Sequence, residues 1–263
     1  MSEKPSSPFF KRSHSLAVTL FLFLILLSAT LAGQSDQNYD SKEPMPPEQA
    51  LRLLAGGNLR YLSHNSKNPP DYERERRELI NGQKPYGIVL SCSDSRVPPE
   101  IVFDETLGNL FVIRVAGNVT GPTGLGSIEY AVDHRYSRLL LVMAHESCGA
   151  VEATMDAVRT GKYPASPNLR ALINPIIPTL DRTKLDTKNK KHVAVNVDRN
   201  LQAQMANVVK GSAFLAGKVR SGELQIIGAI YSLEKGDAKP VYYYDKSTNR
   251  VKPIPPSKPA RPD

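Results

Sequence analysis

The chain has 263 residues, of which 40% are apolar and 23% charged, and it carries a net charge of +8. That is enough chain for one large domain with its own core, and too ordinary a composition for wholesale disorder or a multispan membrane protein. Two cysteines, Cys92 and Cys148, exclude a small disulfide-stapled scaffold and leave one bridge, one metal site or two unrelated thiols.

Residues 1–15 carry Lys4, Lys11 and Arg12 against Glu3, residues 16–27 are an unbroken apolar run, and residues 28–33 are mostly small. This order reads as a secretory signal over residues 1–32, cut after Ala32, and predicts a secreted or periplasmic bacterial protein. The alternative is an uncleaved anchor, since counting residues 28–33 extends the run to about eighteen residues, the lower edge of a membrane span. With the signal removed no stable span is expected, and loss of those four charged residues leaves +6.

Residues 33–47, with Pro44, Pro46 and Pro47, read as a linker. Ala50, Leu51, Leu54, Leu59 and Leu62 predict a helix over 47–65, weakened at Gly56-Gly57, and the charge-rich stretch 72–80 predicts a surface helix. Residues 86–91 and 110–115 read as buried strands, the second ending in Ala116-Gly117-Asn118, followed by a helix over 121–135. A third strand is expected over 138–144 and a helix over 148–160, stopped by Gly161. Residues 161–190 read as helix fragments and an exposed loop, 192–220 as a helix in two pieces around Gly211, 224–231 as a fourth strand and 240–244 as a fifth. Residues 246–263, with Pro253, Pro255, Pro256, Pro259 and Pro262, read as a disordered Pro-rich tail, which leaves 48–245 for the functional domain. The alternation predicts an α/β fold: four parallel strands plus an antiparallel edge strand, flanked by helices.

In such sheets ligands bind beyond the carboxyl ends of the strands. The first strand runs into Cys92-Ser93-Asp94-Ser95-Arg96 and the third into His145-Glu146-Ser147-Cys148-Gly149, so two thiolates and an imidazole can converge on one edge. Soft sulfur with imidazole suits zinc, and three ligands leave the fourth position open, as in catalytic sites. A single disulfide or a closed structural zinc site remains an alternative on spacing. A disulfide, however, explains neither His145 nor Asp94, and structural knuckles usually pair their cysteines. Asp94 and Arg96, two residues apart, can form a charge-assisted pair, or simply an ion pair that braces the loop.

CSDSR followed by HxxCG resembles the signature of the beta-class carbonic anhydrases, and the similarity extends over about residues 48–245. The chain departs from the pattern at Ala144, where glycine is usual, and at Val115, where asparagine is frequent. The resemblance implies one Zn2+ per chain held by Cys92, His145 and Cys148. It implies reversible hydration of carbon dioxide to bicarbonate and a proton by zinc-bound hydroxide, oriented by Asp94 and Arg96. It also implies that Asp94 can become a fourth ligand in a closed state. Members that close strongly often carry a regulatory bicarbonate pocket built on a tryptophan, an arginine and a tyrosine. Here the tryptophan position is Val89, the chain has no tryptophan, and Arg114 matches the arginine, so an open site at neutral pH is expected, with Asp94 paired to Arg96.

By the same resemblance Gln83 binds bicarbonate, Phe111 and Tyr130 wall the carbon dioxide pocket, and the Gly149 N–H meets a bound oxyanion. Ordinary core packing is the alternative for the two aromatics. The cleft adjoins a dimer interface in the family, so a homodimer or a dimer of dimers is expected. His14, His64, His134 and His192 receive no role. Two other activities stand beside this one: hydrolysis of carbonyl sulfide or carbon disulfide on the same scaffold, and a non-catalytic zinc protein, against which the intact Asp94–Arg96 pair argues. The basic clusters at 74–77 and 184–191 lack interleaved aromatics and read as solvated surface, so no nucleic-acid partner is expected.

Overall fold

Strands that are apolar along almost their whole length need both faces covered, and two such runs lie inside the sheet. In the computed structural model, which describes residues 43–66 and 70–255, β1 (Gly87–Ser91) and β3 (Leu139–His145) are buried along their whole length. The expected signal at 1–32, most of the linker and the end of the tail lie outside the described residues. β2 (Leu110–Arg114) pairs with β1 on the outer side, and β4 (Gln225–Tyr231) with β3, all four parallel. β5 (Ala238–Asp245) returns antiparallel on β4 and β6 (Arg250–Pro253) antiparallel on β5, giving the order β2-β1-β3-β4-β5-β6.

β6 corrects the expectation of a single antiparallel strand followed by a tail from 246. The reversal before it is organised by Asp245, whose carboxylate accepts hydrogen bonds from Ser247 N, Ser247 Oγ and Thr248 Oγ1. Asn249 then takes the left-handed φ of 59° that a glycine would usually supply. Pro253 fits because it ends a strand with no further neighbour among the described residues.

The long helices cover the two faces. α1 (Pro47–Leu62) runs unbroken through Gly56-Gly57, and α2 (Tyr72–Glu78) buries none of its residues. A Cβ on Gly57 would lie 1.8 Å from the carbonyl oxygen of Phe103, just after the one-turn helix α3 (Pro99–Val102). The glycine that weakens the helix by itself is what lets α1 approach that backbone. α4 (Pro122–Asp133), α5 (Gly149–Thr160) and α6 (Pro167–Ile173) follow, and the long segment breaks as expected after Gly211 into α7 (Lys190–Gly211) and α8 (Ala213–Ser221). Gly87 faces Leu54 of α1, and Gly228 faces Met205 of α7. In register, Gly87 lies level with Gln225, three positions from Gly228. Side chains alternate along a strand, so α1 and α7 pack on opposite faces. Between them Ile88, Leu90, Leu140, Leu141 and Met143 fill the interior.

Candidate metal centre

Parallel neighbours end on the same edge of a sheet, and Ser91 of β1 sits beside Met143 of β3. Cys92 is the first residue beyond β1, His145 the last of β3, and Cys148 the residue that caps α5. Ser147 turns the chain between the last two through a left-handed φ of 49°. The ligand atoms of Cys92, His145 and Cys148 all lie within 4.8 Å of one another, and all three residues are buried. Both cysteines are free thiols, so the pair forms no disulfide.

The donor set fits a zinc ion. His145 Nδ1 lies 2.8 Å from the backbone oxygen of Glu146, which can only accept, so Nδ1 carries the proton. Nε2 is left with its lone pair, buried and without a hydrogen-bond partner among the described residues. A ligating histidine is held in this way, its second nitrogen donating to a carbonyl. Sharing a hydrogen bond with Cys148 pulls the Cys92 thiol below its ordinary pKa, against the opposing effect of burial. The same contact, with burial, pushes the Cys148 thiol up. A cation beside the two sulfurs would favour both as thiolates. The backbone helps both: Gly117 N–H donates to Cys92 Sγ at 3.3 Å, and the N–H groups of Ala150 and Val151 favour a thiolate at Cys148.

Asp94 stands at the mouth. Arg96 grips its carboxylate with Nε to Oδ1 at 2.8 Å and Nη2 to Oδ2 at 2.6 Å, and its backbone N–H adds a bond of 3.0 Å to Oδ1. That bidentate guanidinium holds the Asp94 carboxyl well below the usual range, outweighing partial burial. Asp94 Oδ2 is 3.9 Å from His145 Nε2, so the carboxylate borders the ligand cluster. Arg96 Nη2 also reaches the Ser147 oxygen at 3.4 Å and links the two loops that carry the ligands. Arg114 braces the first of these loops, with Nε to the Cys92 oxygen at 3.0 Å and Nη2 to the Asp94 oxygen at 2.6 Å.

The remaining residues singled out from the sequence divide into two places. Gly149 opens α5 directly after Cys148, and the space where its side chain would stand is open. Gln83 is exposed and precedes β1, so it lies at the amino edge of the sheet. Phe111 pairs with Ile88 near that same edge, and Tyr130, 47% exposed on α4, stacks on it with ring centroids 6.2 Å apart. Within one chain, then, Gln83, Phe111 and Tyr130 sit at the other end of the strands from Cys92, His145 and Cys148. Tyr136 and His134 join the two aromatics in one patch beside β2.

Sequence reasoning missed the support behind the site. Asn200 Nδ2 of α7 donates to the Gly117 oxygen at 2.9 Å, and Gln204 holds Asn200. The available signal was a row of amides, Asn196, Asn200 and Gln204, at helical spacing among Val193, Val197, Leu201 and Met205.

A sequence model of the carbonic anhydrase family matches residues 87–238. Carbonic anhydrase 2 of Mycobacterium tuberculosis is 34% identical over 192 residues, covering 73% of this chain and 91% of the relative. A carbonic anhydrase of Mycolicibacterium smegmatis is also 34% identical, over 196 residues, covering 72% and 91%. Among solved structures, a Coccomyxa beta-carbonic anhydrase in complex with acetazolamide is similar with a TM-score of 0.54 at 25% identity, covering 63% of this chain and 76% of that one. One of two tetrameric beta-carbonic anhydrases from Sordaria macrospora gives a TM-score of 0.56 at 21% identity, covering 64% and 86%, a likeness of fold.

Proposed function

The chain belongs to the beta-class carbonic anhydrases, and from that membership we propose how its residues carry out the reversible hydration of carbon dioxide to bicarbonate and a proton. The observation that carries the reading is the buried cluster of Cys92, His145 and Cys148, with its unpartnered imidazole nitrogen, beside a carboxylate locked by arginine. Cys92 and Cys148 would hold one Zn2+ as thiolates that balance its charge, and His145 would add a neutral donor through Nε2. Zinc in such a site acts as a Lewis acid that brings the pKa of a coordinated water toward neutrality.

Asp94, kept ionised by Arg96, accepts the hydrogen of the attacking water at Oδ2 and turns its lone pair toward the carbon of carbon dioxide. Two guanidinium bonds hold Asp94 back, which favours the open arrangement at neutral pH, with the closed form requiring both to break. The Gly149 N–H, at the positive end of α5, meets the oxyanion as it forms.

Gln83, Phe111 and Tyr130 enter through a second copy. β2 is an edge strand with half-exposed Leu110, Phe111 and Val112, a ready template for association, and the aromatic patch continues from it. A homodimer, or a dimer of dimers, covers that edge and brings the cleft residues of one chain toward the ligand cluster of the other. Export to the periplasm or the cell exterior, with residues 1–32 as a cleaved signal, rests on the basic, apolar and small-residue order of that segment. Among the described residues no helix is long and apolar enough to cross a membrane. N-terminal sequencing of the mature protein should begin at Gly33, and a start at Met1 would sink the cleaved-signal reading.

Stopped-flow hydration of carbon dioxide, with and without a zinc chelator, tests the activity. Zinc-dependent acceleration is expected, and a rate no greater than buffer with one zinc bound per chain would overturn it.

A further inference from the structure

The face that α7 turns to the core carries amides where apolar groups would serve packing better. Asn196, Asn200 and Gln204 are each at most 1% exposed. Amides in such a place are costly unless their donors and acceptors are matched. Asn196 is matched locally: Oδ1 accepts from Asp181 N at 2.7 Å, and Nδ2 donates to the oxygens of Lys184 at 2.7 Å and His192 at 3.0 Å. Those bonds hold the chain before α7 against the helix and lead nowhere else.

The other two amides reach across the fold to the segment between β2 and α4. Gln204 Oε1 accepts from Thr120 N at 2.9 Å and Thr120 Oγ1 at 2.8 Å, and its Nε2 donates to Asn200 Oδ1 at 2.9 Å. Asn200 Nδ2 then donates to the Gly117 oxygen at 2.9 Å, and Gly117 N–H donates to Cys92 Sγ at 3.3 Å. Gly117 is left-handed with φ of 69°, which glycine adopts freely, and Asn118 follows it with φ of 46°, which a residue with a side chain keeps only where its surroundings enforce it. From the other side Ile176 and Ala150 close on Gly117, where a Cβ would come within 2.9 and 3.2 Å of their side chains. The amide that faces Cys92 is therefore clamped from two directions, by α7 and by packing.

We propose that Asn200, held by Gln204, is a positioning residue for the metal centre: it fixes Gly117 so that its N–H stays on the Cys92 sulfur and limits the electron density that sulfur gives to the metal. The proposal rests on Cys92, His145 and Cys148 being zinc ligands. Orienting groups of this kind change metal affinity by about 10- to 100-fold when removed. The fixed N–H holds the Cys92 sulfur in place as a thiolate, which favours binding, and weaker sulfur donation leaves the bound metal a stronger Lewis acid, which favours the chemistry.

The test uses the full chain loaded with cobalt(II), read by its sulfur-to-cobalt charge-transfer absorption, together with zinc competition against a chromophoric chelator and the melting temperature. Absence of any such band in the unaltered protein would refute the zinc-ligand reading itself, and is thereby distinguished from failure of the present proposal. Asn200→Leu should move the band to lower energy and weaken zinc binding about ten-fold or more. Asn196→Leu, equally buried, should lower the melting temperature and leave band and affinity unchanged. Gln204→Met, which spares Asn200 but frees it, should shift the band in the same direction by less, and it stands in if Asn200→Leu fails to fold. Unchanged spectra and affinity in the Asn200 and Gln204 variants, or an equal change in Asn196→Leu, would overturn the proposal.

Discussion

Removal of the Arg96 side chain separates positioning from metal binding. In Arg96→Ala the carboxylate of Asp94 loses the bonds of 2.8 and 2.6 Å from the guanidinium and keeps the bond of 3.0 Å from the backbone N–H of residue 96. A hydrogen bond to a charged group contributes about 1.5–3 kcal/mol when well sheltered, and exposed ion pairs contribute about 0–1 kcal/mol. Arg96 is 52% exposed and Asp94 only 17%, so the forked pair falls between these limits, at about 1–2 kcal/mol. If that energy serves to hold Asp94 in its working orientation, turnover falls about 5- to 30-fold. The measurement is stopped-flow hydration at saturating zinc, with metal content determined on the same sample, and one zinc per chain is expected throughout. Arg96→Lys retains the charge without the fork and should fall between the two. The pair also depresses the Asp94 carboxyl in the folded state, so its contribution to stability is complete above the ordinary carboxylate pKa of about 3.9 and fades as the pH drops through the folded-state value. Urea midpoints of the parent and Arg96→Ala should therefore differ at pH 7 and converge in strong acid. Turnover within twofold of the parent at full zinc content would refute a positioning role for Arg96.

Asp94→Asn should keep its zinc and lose about 10²- to 10⁴-fold in turnover, the usual range for a group that accepts a proton in the reaction; zinc loss would instead make Asp94 a structural ligand. Gly57→Ala pushes a methyl against the Phe103 carbonyl and should destabilise the chain by about 1–3 kcal/mol, read as a lower melting temperature, and an unchanged melting temperature would contradict the close approach of α1. Tyr130→Lys alters an exposed residue of the aromatic patch, so it should leave the folded chain intact while sedimentation shows loss of the dimer and activity falls with it. A variant still dimeric and active would place the interface elsewhere.

The parts that were legible in the sequence share a physical cause. β1 and β3 are buried on both faces, so they appear as uninterrupted apolar runs, and the ligands come at once where those runs stop. Asp94 and Arg96 are two residues apart, close enough for their pairing to be read locally. β6 was hidden because its turn is made by Asp245, Ser247 and Asn249 with no glycine, and because prolines crowd the strand's end and the residues after it. Asn200 and Gln204 act on residues 83 and 84 positions away, so nothing near them in the chain announces the contact. Gln83, Phe111 and Tyr130 were identified by resemblance, but only the strand register shows that they lie at the far end of the sheet from the ligands of their own chain.

The oxygen that orients His145 belongs to the backbone of Glu146, and backbone N–H groups of Gly117, Ala150 and Val151 serve the two sulfurs. None of these contacts is encoded in the identity of a side chain. Exposed residue 146 can consequently drift in type while the imidazole keeps its tautomer, whereas residues 150 and 151 are held to their type by packing, Ala150 against Gly117 and Val151 in the core. Damage to the orientation of the ligands has to arrive through the path of the main chain. A scan of substitutions scored by zinc retention should find tolerance at residue 146 alongside intolerance at Gly117, where the path itself depends on the residue.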